Sequence, residues 1–202
     1  MTDAADTPKL SDSLAASVRG KSVVVGLTGG IACFKTAMVV SRLVQAGANV
    51  SVLMTDAATR FVTPLTFQAL SGRPVYTSQW EHVESHDPQH IALARGADLM
   101  LIAPCTMDMM AKLATGRTDD VVSLVASAVD RTKQPCLLAP SMNAVMWSQP
   151  ATQRALKQLR EDGFEIIGPE SGWQACRTEG IGRMSEPEEI LAAVIGLIRQ
   201  AP

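Results

Sequence analysis

Aromatic side chains are scarce in this chain: Phe, Trp and Tyr together make up 4% of its 202 residues. The core must therefore be built from Ala, Val, Leu, Ile and Met, and a hydrophobic content of 47% supplies enough of them to exclude a disordered chain. Long apolar runs are missing too. The longest nearly uninterrupted one, Ile190 to Ile198, is much shorter than the ~20 residues that cross a bilayer. The N-terminus has no charged-then-apolar signal pattern, so a soluble, cytoplasmic protein with no membrane partner is expected. The four cysteines, Cys33, Cys105, Cys136 and Cys176, form no CxxC pair and lack the density of a secreted disulfide scaffold, which leaves free thiols, most of them buried. A basic stripe is absent as well. Eighteen basic residues are scattered among twenty acidic ones for a net charge of −2, which argues against a nucleic-acid partner.

What the chain does have is alternation. Residues 1–20 are polar and rich in Ala, Ser and Asp, and are expected to be a flexible leader, with a single domain over 21–202. From Lys21 onward, β-branched runs alternate with helical patterns: 22–27 then 31–46, 49–54 then 64–70, and 98–103 then 107–115 and 121–130. The series closes with 135–139 then 151–162, and 165–167 then 186–199. Strands joined by crossover helices imply an α/β chain with a parallel sheet covered on both faces, and the continuous apolar runs Val23-Val24-Val25 and Leu99-Met100-Leu101-Ile102 fit strands buried on both sides. Ser185 with Glu188 reads as a capping box with Pro187 in the first turn, and Gly116 and Gly163 sit where left-handed helix stops belong. Two stretches, 73–87 and 169–184, fit no regular element and are read as functional loops at the carboxyl ends of the strands.

The first strand runs into Thr28-Gly29-Gly30-Ile31-Ala32, either a tight strand-to-helix turn or a cradle for an anion such as phosphate. The segment matches neither GxGxxG nor GxxxxGK[ST]. Thr55-Asp56-Ala57-Ala58-Thr59-Arg60-Phe61 follows the second strand and Ala103-Pro104-Cys105-Thr106-Met107-Asp108 the third; each threonine serves as an N-cap or as a ligand contact. Together the three turns form a cradle for a monophosphate and its attached ring system. His82, His86 and His90 are spaced by four, yet Pro88 interrupts the helix a metal site would need, so no metal is expected. His90 then falls in a first helical turn, where the dipole favours neutral imidazole; a general base and a structural histidine both fit. Met142-Asn143-Ala144-Val145-Met146-Trp147 offers an apolar wall with one amide, and the Gly-punctuated run from Gly172 to Met184 carries Cys176 beside Arg177 and Arg183.

Gly29-Gly30-Ile31-Ala32 with Lys35, His90-Ile91, Ala103-Pro104, the PxMNxxMW segment of Pro140 to Trp147, and Ala175-Cys176 followed by Gly180-x-Gly182-Arg183-Met184 resemble the flavin-dependent cysteine decarboxylases. The loop ending in Gly-Arg-Met resembles in particular the phosphopantothenoylcysteine decarboxylases of coenzyme A synthesis. This resemblance implies a Rossmann-like or flavodoxin-like three-layer α/β/α subunit, FMN as cofactor, and homotrimers or a dodecamer of trimers with active sites between subunits. It implies FMN contacts at Thr28, Gly29, Gly30, Ile31, Thr55, Thr59, Phe61, Ala103, Pro104 and Thr106. Substrate contacts are implied at Asn143, Met146, Arg177, Arg183 and Met184. His90 would be the catalytic base, Asn143 would orient the substrate carboxylate, and Cys176 would deliver a late proton. The implied chemistry oxidises the cysteinyl CH₂–SH of phosphopantothenoylcysteine to a thioaldehyde, which accepts the electrons released with CO₂; the resulting enethiol is then reduced to 4′-phosphopantetheine. A peptidyl-cysteine decarboxylase and a non-catalytic subunit that regulates a phosphatase are the alternatives. The flavin prenyltransferase relatives are disfavoured, since they would not need His90, Asn143 and Cys176 together. Three departures stand out: Arg177 where the family often has Gly, Met107-Asp108 where it commonly reads Ala-Asn, and a chain ending at Pro202 without the phosphopantothenate–cysteine ligase fused to many bacterial relatives. Two expectations stay open: a stand-alone enzyme with that ligase as a separate partner, or a chain from which the ligase part is missing.

Overall fold

The computed structural model describes residues 7–80 and 89–200, with side chains from residue 12. Strands β1 (Ser22–Leu27), β2 (Asn49–Met54), β3 (Val75–Tyr76), β4 (Leu99–Cys105), β5 (Cys136–Pro140) and β6 (Glu165–Ile166) form a six-stranded sheet in the order β3-β2-β1-β4-β5-β6. Every pairing in it is parallel. The helices are α1 (Thr7–Val18), α2 (Cys33–Gln45), α3 (Asp56–Thr59), α4 (Pro64–Ser71), α5 (Gln89–Gly96), α6 (Met107–Thr115), α7 (Val121–Ala128), α8 (Ala144–Ser148), α9 (Pro150–Glu161) and α10 (Pro187–Gln200). This is the expected three-layer α/β/α arrangement with the Rossmann strand order, and the order reverses between β1 and β4, where such sheets bind ligands.

Both faces of the central strands are buried, and the two-residue period divides their side chains. Val23, Val25 and Leu27 of β1 and Leu99, Leu101 and Ala103 of β4 join one core with Val39 and Leu43 of α2, Phe67 of α4 and Ile190 and Val194 of α10. Val24, Met100 and Ile102 face the other, with Met109 of α6, Val122 of α7 and Leu156 of α9. The aliphatic composition allows this. At Gly26 a Cβ would come within 2.7 Å of the Val122 side chain, so the missing side chain lets α7 approach the sheet.

Three local expectations are corrected. Within the segment read as a flexible leader, residues 7–18 form α1, and Leu14 and Val18, four residues apart on one face, are buried against the first core. The polar composition hid them because two apolar side chains suffice for a short amphipathic helix that docks on α10 and α2. Leu14→Ala is therefore expected to cost about 2–4 kcal/mol by removing buried methyl groups. An unchanged urea midpoint would show that the segment contributes nothing to the fold.

The capping box expected of Ser185 and Glu188 does not form. Ser185 is buried and donates its hydroxyl to Glu170 at 3.2 Å, whereas the Glu186 amide donates to the Glu189 carboxylate at 2.7 Å. Residues 169–184, read as an irregular loop, contain an antiparallel hairpin of β7 (Glu170–Trp173) and β8 (Glu179–Arg183). Its glycines masked the strand pattern. Gly116 and Gly163 do end α6 and α9, with φ of 70° and 83°.

Candidate active site

A cleft of about 1060 Å³ opens at the carboxyl ends of β1 and β4. The turns after β1, β2, β4 and β5 and the β7–β8 hairpin line it. Thr28 joins two of these turns: its buried hydroxyl donates to the Pro104 carbonyl at 2.7 Å and accepts from the Thr106 amide at 3.0 Å. Thr55 and Thr106 cap α3 and α6 by accepting from the amides of Ala58 and Met109. The hydroxyls that flank the cleft thus set the shape of its rim. The start of α2 differs, since Ala32 occupies the cap position with no side-chain cap bond, and the amides of Cys33, Phe34 and Lys35 donate to the carbonyls of Gly30, Ile31 and Ala32. At Gly29 a Cβ would meet that of Ala57 at 2.5 Å, whereas at Gly30 the nearest atoms, on Pro104 and Thr106, lie 3.7 Å away. The Gly29-Gly30 turn, with open space at Gly30 and leading into the 13-residue α2, fits a phosphate group.

Thr28, Gly29, Gly30, Ile31, Thr55 and Thr106 line this cleft, as do Asn143, Met146, Cys176, Arg183 and Met184. Thr59, Phe61, Ala103, Pro104, Arg177 and His90 do not line the cleft of the single chain. Ala103 and Pro104 lie behind the cleft and support its turns. Both are buried in β4; their carbonyls accept the hydroxyls of Thr36 and Thr28, and the Pro104 ring sits behind the Gly30 turn. Thr59 spends its hydroxyl on the Asp56 carbonyl, and Phe61 is half exposed beyond α3. His90 lies in the first turn of α5, whereas His82 and His86 fall outside the described residues. Among the described residues no cluster of three or more His, Cys, Asp or Glu is arranged to hold a metal.

The β7–β8 hairpin seats on the start of α8. The Met142 amide donates to the Gly182 carbonyl at 2.9 Å, and the Ala144 amide to the Gln174 carboxamide oxygen at 3.1 Å. Asn143 is the N-cap of α8: its Oδ1 accepts from the Val145 amide at 2.8 Å, which fixes Nδ2 as the outward-facing atom. That Nδ2 lies 3.1 Å from Cys176 Sγ, and the Thr178 hydroxyl is 3.0 Å from the same sulfur. The Thr178 hydroxyl and then the Asn143 amide hold the exposed Cys176 thiol below its ordinary range. Burial pushes the other three up, Cys136 to about 12. Arg177, in the turn beside Cys176, takes φ 65°, the left-handed region open to the glycine it replaces in the family pattern.

The family model for Flavoprotein matches residues 12–199. The chain belongs to this family. The coenzyme A biosynthesis bifunctional protein CoaBC of Haemophilus influenzae is 45% identical over 183 residues, covering 91% of this chain and 45% of that protein. CoaBC of Bacillus subtilis is 42% identical over 174 residues, covering 86% and 42%. The chain spans less than half the length of these curated relatives. A solved PPC decarboxylase, a cysteine-to-serine mutant complexed with pantothenoylaminoethenethiol, superposes with a TM-score of 0.77 at 28% identity, covering 87% of this chain and 97% of that one. The FMN-dependent cysteine decarboxylase SpaF gives a TM-score of 0.75 at 29% identity, covering 92% and 98%.

Several cleft residues of this flavoprotein have partners that the sequence did not indicate. Lys112 packs its ammonium among Asp108, Asp119 and Asp120 at 3.3, 3.1 and 2.9 Å. Burial works to lower its pKa, but the hydrogen bonds to Asp120 and Asp119 outweigh it, and the side chain is held protonated well above its ordinary value. Lys35 reaches from α2 to the Met184 carbonyl and to Glu186, which Arg183 also pairs, so three charges tie the base of the hairpin to the first core. Gln174 is buried at the hinge of the hairpin. For Lys112 the i,i+4 spacing from Asp108 was the sequence signal.

Proposed function

We propose that this chain is an FMN-dependent decarboxylase that converts phosphopantothenoylcysteine to 4′-phosphopantetheine in coenzyme A synthesis. The observation that carries the proposal is the convergence of the fixed Asn143 amide and the Cys176 thiol, 3.1 Å apart at the mouth of the cleft. An amide whose oxygen is spent on a helix cap presents only its NH₂, and a carboxylate accepts from it. An exposed thiol held below its ordinary range gives up a proton readily.

Gly29, Gly30 and Ile31, in the turn that leads into α2, would hold the FMN phosphate, and Thr28, Thr55 and Thr106 shape the turns around it. Bound FMN would supply a two-electron acceptor for the substrate CH₂–SH and return those electrons after CO₂ has left. The protein does the rest. Asn143 Nδ2 orients the departing carboxylate, the Met146 wall keeps water away, and the lid closed by Arg183, Glu186 and Lys35 confines the substrate. Cys176 delivers a proton as the enethiol is reduced. His90 is the base from a neighbouring subunit: it sits outside its own cleft, while Ile31, Phe34 and Met38 leave an apolar patch exposed on and before α2. The assembly is a homotrimer, or a dodecamer built from trimers, and a phosphopantothenate–cysteine ligase supplies the substrate. Purified protein should be yellow, sediment as a trimer or a multiple of one, and release CO₂ from phosphopantothenoylcysteine; a colourless protein without this activity would overturn the proposal.

Gly30→Asp tests the phosphate position. The open space there lets the new side chain fit without disturbing the core, so a folded but colourless apoprotein is expected, because a carboxylate beside the phosphate repels it. Stoichiometric flavin in that variant would place the phosphate elsewhere.

A further inference from the structure

We propose that Thr178 and Gln174 are positioning residues for Cys176, together supplying its sulfur with two hydrogen-bond donors that stabilise the thiolate left when the proton has gone. This deepens, and rests on, the reading of Cys176 as proton donor. The Thr178 hydroxyl lies 3.0 Å from the sulfur and rotates freely, so it turns its O–H toward a thiolate. The second donor is Asn143 Nδ2 at 3.1 Å, and Gln174 is what brings it there.

Gln174 is a buried amide on an otherwise exposed turn. Its oxygen accepts from the Ala144 amide at 3.1 Å and, each at 3.5 Å, from Asn143 Nδ2 and the Cys176 thiol; its nitrogen donates to the Gly180 carbonyl at 3.4 Å. One carboxamide therefore joins the start of α8, the substrate-orienting amide, the thiol and the opposite strand of the hairpin. The backbone reinforces the turn, with the Gln174 amide donating to the Thr178 carbonyl at 2.8 Å and the Arg177 amide to the Gln174 carbonyl at 2.9 Å. A Cβ at Gly182 would collide with the Met142 carbonyl and the Gln174 nitrogen, so that glycine lets the amide seat. The charged residues around the thiol are Arg177 and Glu179 on the hairpin and Arg183 toward the cleft; α8, packed against it, carries none. The lowering of the Cys176 pKa comes from its hydrogen-bond donors, with no charged side chain among its causes. Loss of the thiol proton moves no electrons from sulfur, and solvent restores it in the next cycle.

The test is the pH dependence of Cys176 alkylation by iodoacetamide in the flavin-loaded protein, where the other three cysteines are buried. The rate follows the thiolate fraction. The native midpoint is expected below the ordinary ~8.5 of a cysteine. Thr178→Val should raise it, while Thr178→Ser, which keeps the hydroxyl, should stay near the native value. Thr178 is exposed, so neither change threatens the fold. Gln174→Met should raise the midpoint as well, because Asn143 is released. A purely structural role would lower the melting temperature and leave these midpoints in place. A native midpoint at or above the ordinary value, or an unshifted Thr178→Val, would overturn the proposal. Normal turnover by Cys176→Ser would instead remove the proton-donor reading, with the alkylation profile still deciding the positioning role.

Discussion

Replacing His90 with Asn is expected to cut CO₂ release by the ~10²–10⁴ typical of a lost general base, with FMN still bound. Asparagine keeps the size and some of the hydrogen bonding of the imidazole but has no basic nitrogen, so a purely structural histidine would leave the rate near that of the parent. The position of His90 adds a second expectation. It stands in the first turn of α5, outside the cleft that holds Asn143 and Cys176. If it serves a neighbouring subunit, trimers mixed from His90→Asn and Cys176→Ser chains will contain some sites with both residues intact. Activity should then return on mixing, although each variant alone is inactive. Mixed assemblies that stay inactive would confine His90 to its own subunit or to no catalytic role.

Cys176→Ser is expected to separate the two halves of the reaction. If oxidation and decarboxylation draw on the FMN site, His90 and Asn143, as proposed, one burst of CO₂ per site should appear, with bleached flavin and accumulated enethiol. Turnover to phosphopantetheine should stall, because a serine hydroxyl is a far weaker acid than a thiol. The same donors that lower the Cys176 thiol, Thr178 and Asn143, would hold the serine in place, so the loss tests acidity rather than geometry. Cys33, Cys105 and Cys136 provide the controls. Each is buried with its thiol pushed up, Cys136 to about 12, and replacement by Ser or Ala should not give this burst. Absence of any CO₂ from Cys176→Ser would mean that the lid is required earlier, when Arg183 and Glu186 close it.

The alternation of β-branched runs with helical spacing determined the sheet, its burial on both faces and the helices that cover it, because these periods are local and each residue carries its share of the signal. The resemblance carried by Gly29-Gly30, PxMNxxMW and the Gly-Arg-Met loop led to the family, and the turns placed at strand ends did converge at the cleft. What failed locally failed for identifiable reasons. Two buried side chains, Leu14 and Val18, turn a polar stretch into a helix only once α10 and α2 are there to receive them. The hairpin read as a loop, because the glycines that hide its strand period exist for tertiary reasons: Gly182 and Gly180 would strike Met142 and Ala144. Ser185 lost its cap to Glu170, a residue fifteen positions earlier in the chain.

Only the tertiary structure decided which polar groups meet. Thr28 and Thr106 are 78 positions apart, Lys35 and Glu186 are 151 apart, and Asn143 and Cys176 are 33 apart, yet each pair lies within hydrogen-bonding distance. No sequence period reports such a pairing. It is set by the strand order, which reverses between β1 and β4 and brings the far-separated turns to one end of the sheet. The same geometry made Gln174 a buried link, enclosed Lys112 among carboxylates, and left His90 outside the lining of the cleft its own chain builds.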